Sequence, residues 1–128
     1  AFNVYDTEKQ KLYFSGAHTP LYVMKNGQIN IYKGDRMPVG KSRKEKPFTI
    51  HEIPMQKGDI IYLFSDGYVD QFDENNKQKY KTVRFRQLLR DIYTLPMPEQ
   101  NKRIESTFRD WKGETRQLDD VLVMGIKI

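Results

Sequence analysis

Cysteine is absent from the 128 residues, and histidine occurs only twice. Disulfides, thiolate metal centres and thiol nucleophiles are therefore excluded, and a site built on imidazoles has little to draw on. Long apolar runs are missing too. No stretch approaches the roughly 20 residues that cross a bilayer, and no charged-then-apolar segment opens the chain. These absences fit a cytoplasmic chain, although a parent protein that carries it can still be membrane-anchored. Repeats, low-complexity tracts and a clear linker are also lacking, so one domain with one core is expected.

What is present is charge and aromatic mass. Charged residues make up 30% of the chain, and seven Phe, eight Tyr and one Trp are enough to build a packed interior. The net charge of +5 is unevenly spread. Residues 33–46 hold six basic and two acidic side chains, and residues 77–90 hold six basic and none acidic. Each stretch reads first as a solvated face, the block 41–46 as an exposed loop, and second as an attractor of phosphate or acidic protein. A nucleic-acid surface is not expected, because aromatics do not interleave with the basic residues as a stacking platform requires.

Hydrophobic periodicity sets out the elements. Residues 2–6 and 11–15 alternate around polar "TEKQ" and predict a hairpin. Residues 18–34 predict a second, turning at Asn26-Gly27, since both residues tolerate positive φ. Residues 34–47 read as loop and "FTIHEIP", 48–54, as a strand. "IIYLF" before Ser65 is apolar on both faces, as a strand covered on both sides would be. The period then changes. Phe85, Leu88, Leu89 and Ile92 share one helical face, and Ile104, Phe108 and Trp111 share another after Pro96 and Pro98. Gly113 suits a C-terminal cap. Residues 121–128 read as a further central strand. The expected fold class is α+β: a mainly antiparallel β-sandwich with two helices on an outer face.

Two strand ends carry acid. "GDIIYLFSDGYVDQF", 58–72, runs a greasy strand into Asp66 and Gly67, with Asp70 four residues after Asp66. "QLDDVLVMGIKI", 117–128, places Asp119 and Asp120 before the last strand. If the two strands are antiparallel neighbours, these ends meet at one sheet rim. Converging carboxylates repel unless a cation intervenes, and all-oxygen ligation favours Mg²⁺ or Mn²⁺. Gly67 would let the backbone turn sharply beside such an ion. Asp-Gly after a strand also makes an ordinary turn, and Asp-Asp before a strand an ordinary solvated loop. Spacing alone does not separate these readings.

At these residues the chain resembles the SpoIIE-like branch of the PPM-type, metal-dependent protein serine/threonine phosphatases. "SDG" and "LDD" match the family's C-terminal ligand motifs. "LYFSGAHTPLYVMKNGQI", 12–29, is similar to its Ala-Gly-His strand and the hairpin after it, and "GDRMPVG", 34–40, and "DWKG", 110–113, follow in the family's order. The resemblance implies a β-sandwich flanked by helices with a two-metal site at one edge. It implies that Asp66 and Asp119 ligate Mn²⁺ or Mg²⁺, with Gly67, Asp70 and Asp120 in supporting or accessory-metal positions. It also implies metal-activated water attacking phosphoserine or phosphothreonine, and relatives that sit behind sensor modules and act on anti-sigma-antagonist-like proteins.

Two departures stand out. The small residues read Ser15-Gly16-Ala17-His18 where the family usually has Asn-Ala-Gly-His. The family's upstream metal-binding Asp segment has no match in residues 1–14, where Asp6 is followed by Thr7. The chain is therefore expected to be the C-terminal portion of a phosphatase domain, poorly active alone. The alternative is a catalytically inactive module that binds a phosphoprotein or partner. Open strand edges also admit pairing with a second copy.

Arg84 and Arg86 fall in what reads as the first turn of a helix, against the dipole, and are candidate contacts to phosphate or an acidic partner. His18, at a strand end, reads as a structural hydrogen-bonder, and His51 as a surface or packing residue. Ile104, Phe108 and Trp111 read as core.

Overall fold

A computed structural model describes residues 1–40 and 46–128. Four strands form an antiparallel sheet in the order β4-β3-β6-β7: β3 (Leu21–Lys25), β4 (Gln28–Tyr32), β6 (Ile60–Phe64) and β7 (Val123–Lys127). β1 (Phe2–Asp6), β2 (Lys11–Ser15) and β5 (His51–Pro54) form a second, narrower one in the order β1-β2-β5. Among the described residues there are three helices: α1 (Asp66–Asp70), α2 (Lys81–Ile92) and α3 (Met97–Lys112). The block 41–45 lies outside the described residues, so the expected exposed loop there is not described either.

The period of two sorts side chains into two cores. On the four-stranded sheet Leu21, Val23 and Ile61 face β2 and β5, where they meet Leu12, Phe14, Ile53 and Met55. Tyr22, Met24, Ile60, Tyr62 and Phe64 face the other way, against Tyr68 of α1 and Phe85, Leu89 and Ile92 of α2. Sheet, sheet and helices therefore make three layers, and β3 and β6 are apolar on both faces because both faces are covered. The helices occupy one outer face, as expected, but there are three. At the second hairpin Asn26 (φ 48°) and Gly27 (φ 79°) both take the left-handed region that a two-residue turn needs.

Three further expectations change. The strand foreseen over 48–54 is regular only from His51, because the Thr49 backbone turns its N–H to the Asp35 carboxylate (2.7 Å). The last strand is an edge strand, bonded to β6 alone. The narrower sheet does not reach under it, so Met124 and Ile126 stay nearly half exposed (45% and 44%). The turn at Asp66-Gly67 is the first turn of α1.

One buried polar group fixes the helical layer. Gln100 accepts from the Tyr62 hydroxyl (2.6 Å) and donates to the carbonyls of Tyr93 (3.1 Å) and Leu95 (2.9 Å). It thereby ties the α2–α3 corner to β6, and burial pushes the Tyr62 phenol up to about 12. Pro98 stands in the first turn of α3, and Gly113 closes the helix by donating to the Arg109 carbonyl (2.9 Å).

Candidate metal centre

β6 and β7 are antiparallel neighbours, with Phe64 opposite Val123, so the end of one and the start of the other share a rim. Ser65 joins them. Its backbone N–H donates to the Leu122 carbonyl (2.9 Å), and its hydroxyl accepts from the Leu122 N–H (2.9 Å) and donates to the Asp120 carbonyl (2.9 Å). Gly67 packs flat on the same segment: a Cβ there would lie 2.3 Å from the Asp120 carbonyl oxygen. The glycine is thus required for close approach. Its helical backbone replaces the sharp turn expected at the sequence level.

The acidic groups sit as follows. Asp66 opens α1 and is exposed. Asp119 is exposed, and its Oδ1 accepts from the Asp120 N–H (2.7 Å). Asp120 contributes its carbonyl to Ser65, and its carboxylate faces solvent. Among the described residues neither Asp66, Asp119 nor Asp120 has an ion-pair partner, whereas Asp70 pairs with Lys79 (3.0 Å). Among the same residues no three metal-capable side chains gather in one place. The rim therefore carries carboxylates without ion-pair partners among the described residues, and their oxygens are the ligand type that Mg²⁺ and Mn²⁺ take.

Residues that the motifs did not single out hold this rim in place. Tyr68 donates from its hydroxyl to the Ile104 carbonyl (2.8 Å), and burial drives its phenol far above the usual range. The Trp111 indole donates to the Gln71 carbonyl (3.0 Å), and the Gln71 amide donates to the Arg116 carbonyl (3.1 Å). The Thr115 hydroxyl lies within hydrogen-bond distance of the carbonyls of Asp73 (3.0 Å) and Glu74 (2.9 Å). Together these bonds clamp the segment leading to Asp119 onto the turn after α1.

The Asp73 carboxylate organises that turn by accepting from the N–H groups of Lys77 (2.7 Å) and Gln78 (3.1 Å). The bond from Lys77 holds its pKa below the usual carboxylate value. A depressed folded-state pKa contributes stability that is present above the unfolded value, near about 4, and lost as pH falls through the folded one. The protection of the Lys77 and Gln78 amides against hydrogen exchange, taken relative to the intrinsic rate at each pH, is accordingly expected to fall below about pH 4, and Asp73→Asn should abolish that dependence.

The two candidate arginines part company. The Arg84 guanidinium lies over the Trp111 ring (4.8 Å) and donates to the Tyr80 carbonyl (3.2 Å), so it fastens α2 to α3. Arg84→Ala should cost about 1 kcal/mol in urea unfolding, and Arg84→Lys should recover little, having no planar face to stack. Arg86 donates from Nε to the Thr82 carbonyl (3.3 Å) and lines a cleft near the start of β3. His18 is exposed, while His51 stacks on Phe14 (5.6 Å) and meets Tyr32 edge-on (5.7 Å), a packing role.

Helices on one face of paired antiparallel sheets, with acidic strand ends at one rim, match part of the architecture of PP2C-type phosphatase domains. Solved structures agree. The SiaA PP2C domain of Pseudomonas aeruginosa superposes with TM-score 0.86 at 29% identity, over 96% of this chain and 48% of that one. The phosphatase domain of SpoIIE from Bacillus subtilis gives 0.69 at 14% identity, over 99% of this chain and 56% of that one. Its manganese-presoaked form gives 0.71 at 14% identity, over 99% and 55%. No curated protein sequence matches the chain. The family model for Stage II sporulation protein E matches residues 1–128, and the chain belongs to that family. It spans about half the length of the solved domains it matches. No helix among the described residues is long and apolar enough to cross a membrane.

Proposed function

We propose that this chain forms the C-terminal portion of a metal-dependent phosphatase domain that hydrolyses phosphoserine or phosphothreonine on a regulatory protein in bacterial signalling. The observation that carries this reading is the seam at Ser65 and Gly67, which brings the strand ends of Asp66 and Asp119 to one rim. Asp66 and Asp119 would hold Mn²⁺ or Mg²⁺, with Asp120 beside them. Asp70, tied to Lys79, is an accessory group. A divalent ion bound there supplies acidified water and offsets charge on the phosphoryl oxygens. The residues of the chain do the rest: Ser65 locks the two strand ends together, Gly67 admits the Asp120 backbone, and Tyr68 anchors α1 under α3. With no cysteine in the chain, no thiol is available as a nucleophile. The partner implied is a cytoplasmic phosphoprotein of the anti-sigma-antagonist kind, with a sensor module upstream in the parent protein.

A second reading, an inactive binding module, draws on the incomplete ligand set. Turnover of a phosphoserine protein separates the two when measured with Mn²⁺ and with a chelator. The subjects are this chain and a domain of the relatives' full length that contains it. The phosphatase reading expects chelator-sensitive turnover by the longer domain and little by the chain alone. No turnover by the longer domain would leave the binding module.

A further inference from the structure

The two basic stretches meet in space. His18, Lys33 and Arg36 from the ends of β3 and β4, with Thr82 and Arg86 from α2, line a cleft of about 500 Å³ floored by Tyr22. No carboxylate lines it. Asp35, between two of the cations, has its oxygens occupied by Thr49 (2.7 and 2.9 Å). Among the described residues Lys33, Arg36 and Arg86 take part in no ion pair; the pairs present lie elsewhere.

The wall of the cleft is held rather than loose. The His18 N–H donates to the Asp35 carbonyl (2.8 Å), and the Asp35 N–H donates to the Gly16 carbonyl (2.7 Å). Gly34 passes so close that a Cβ would lie 2.7 Å from the carbonyl oxygens of both Gly16 and Thr19. His18 itself is kept at φ 58°, a conformation unfavourable for a residue with a side chain.

Register places this cleft. Leu21 pairs with Tyr32 and Tyr22 with Tyr62, so the start of β3 and the end of β4 lie at the same rim as Asp66. With the order β4-β3-β6-β7 and about 4.8 Å between strands, the end of β4 is about 10 Å from that of β6. The cleft and the phosphoryl position are therefore offset along the rim by about two strand spacings. An extended peptide advances about 3.4 Å per residue, so the cations meet side chains about three residues from the one being dephosphorylated.

We propose that this cleft binds acidic side chains of the phosphoprotein substrate, about three residues from its phosphorylated serine or threonine. The proposal rests on the phosphatase reading for the position of the phosphoryl group. Guanidinium and ammonium donors in a partly enclosed cleft match carboxylates through charge-assisted hydrogen bonds.

The test uses two phosphoserine peptides, one with glutamates three and four residues from the phosphoserine and one with alanines there. Each is titrated into this chain without metal and followed by amide NMR shifts. The glutamate peptide should shift His18, Lys33, Arg36 and Arg86, and the alanine peptide should not. Arg36→Ala and Arg86→Gln should each weaken glutamate-peptide binding about tenfold, and added salt should erode the preference. The same spectra report whether the variants remain folded. Arg36→Glu should transfer the preference to a lysine peptide. Equal binding of both peptides, or glutamate-dependent shifts outside the cleft, would overturn the proposal. Manganese-dependent turnover by the longer domain is scored separately. Turnover without acidic preference removes only the cleft assignment, and acidic preference without turnover removes only the phosphatase.

Discussion

Asp66→Asn and Asp119→Asn should each lower manganese-dependent kcat/KM of a domain containing this chain by at least about 100-fold, because even groups that merely support metal ligands cost about 10- to 100-fold when changed. Asparagine matches aspartate in shape and keeps one acceptor oxygen, so it isolates the loss of charge. The Asp120 N–H that Asp119 accepts can be satisfied by an amide oxygen equally well. Asp66 is exposed and opens a short helix, where losing the charge costs only a few tenths of a kcal/mol. Thermal unfolding should therefore stay nearly unchanged while manganese titration shifts to higher concentration. Glu52→Gln is the control. It removes an exposed pair with Lys11 on the narrower sheet, costs under about 1 kcal/mol, and should leave kcat/KM within a few-fold. Retention of most activity by either principal variant would remove that residue from the metal centre.

The second large effect is structural. Gly67→Ala puts a methyl group 2.3 Å from the Asp120 carbonyl oxygen and 3.0 Å from its carbon. The obstacle is backbone, held by the Ser65 hydroxyl, so no rotamer change relieves it. Either α1 tilts away from β7, or the 119–121 segment moves off Ser65. We expect about 3 kcal/mol of destabilisation, the upper part of the usual overpacking range. The carboxylates would also separate, so activity should fall further than the stability loss accounts for. Urea unfolding beside a manganese titration distinguishes the two contributions. A variant with unchanged stability would show that the seam yields easily. Ser65→Ala offers a milder comparison, since it removes hydrogen bonds without adding bulk.

Much of the layering was legible along the chain because it follows from local pattern. The Asn26-Gly27 turn, the double-faced β6 and the helical spacing from Phe85 to Ile92 each depend on neighbours within a few residues. Where tertiary context overrode pattern, the reading failed in an instructive way. Residues 121–128 are as apolar as a central strand, yet among the described residues β7 pairs with β6 alone, and the second sheet leaves Met124 and Ile126 nearly half exposed. Asp66-Gly67 has the composition of a turn, but Tyr68, 1% exposed and bonded to Ile104, pulls it into a helix. Arg84 looked available to a ligand. Trp111 lies twenty-seven residues further on, and only folding brings its ring beneath the guanidinium.

By itself, the order of residues determined which chemistry was available: oxygen ligands without thiolates, acids at the ends of two greasy strands, and cations gathered in two blocks. The tertiary structure decided which of these groups meet. Antiparallel pairing of β6 with β7 set Asp66 and Asp119 on one rim, and the packing of α2 beside the β3–β4 hairpin joined residues of both basic blocks around one cleft. The physical reason is that a periodic pattern specifies which face of an element is buried. Which other element buries it is settled only when the whole core closes.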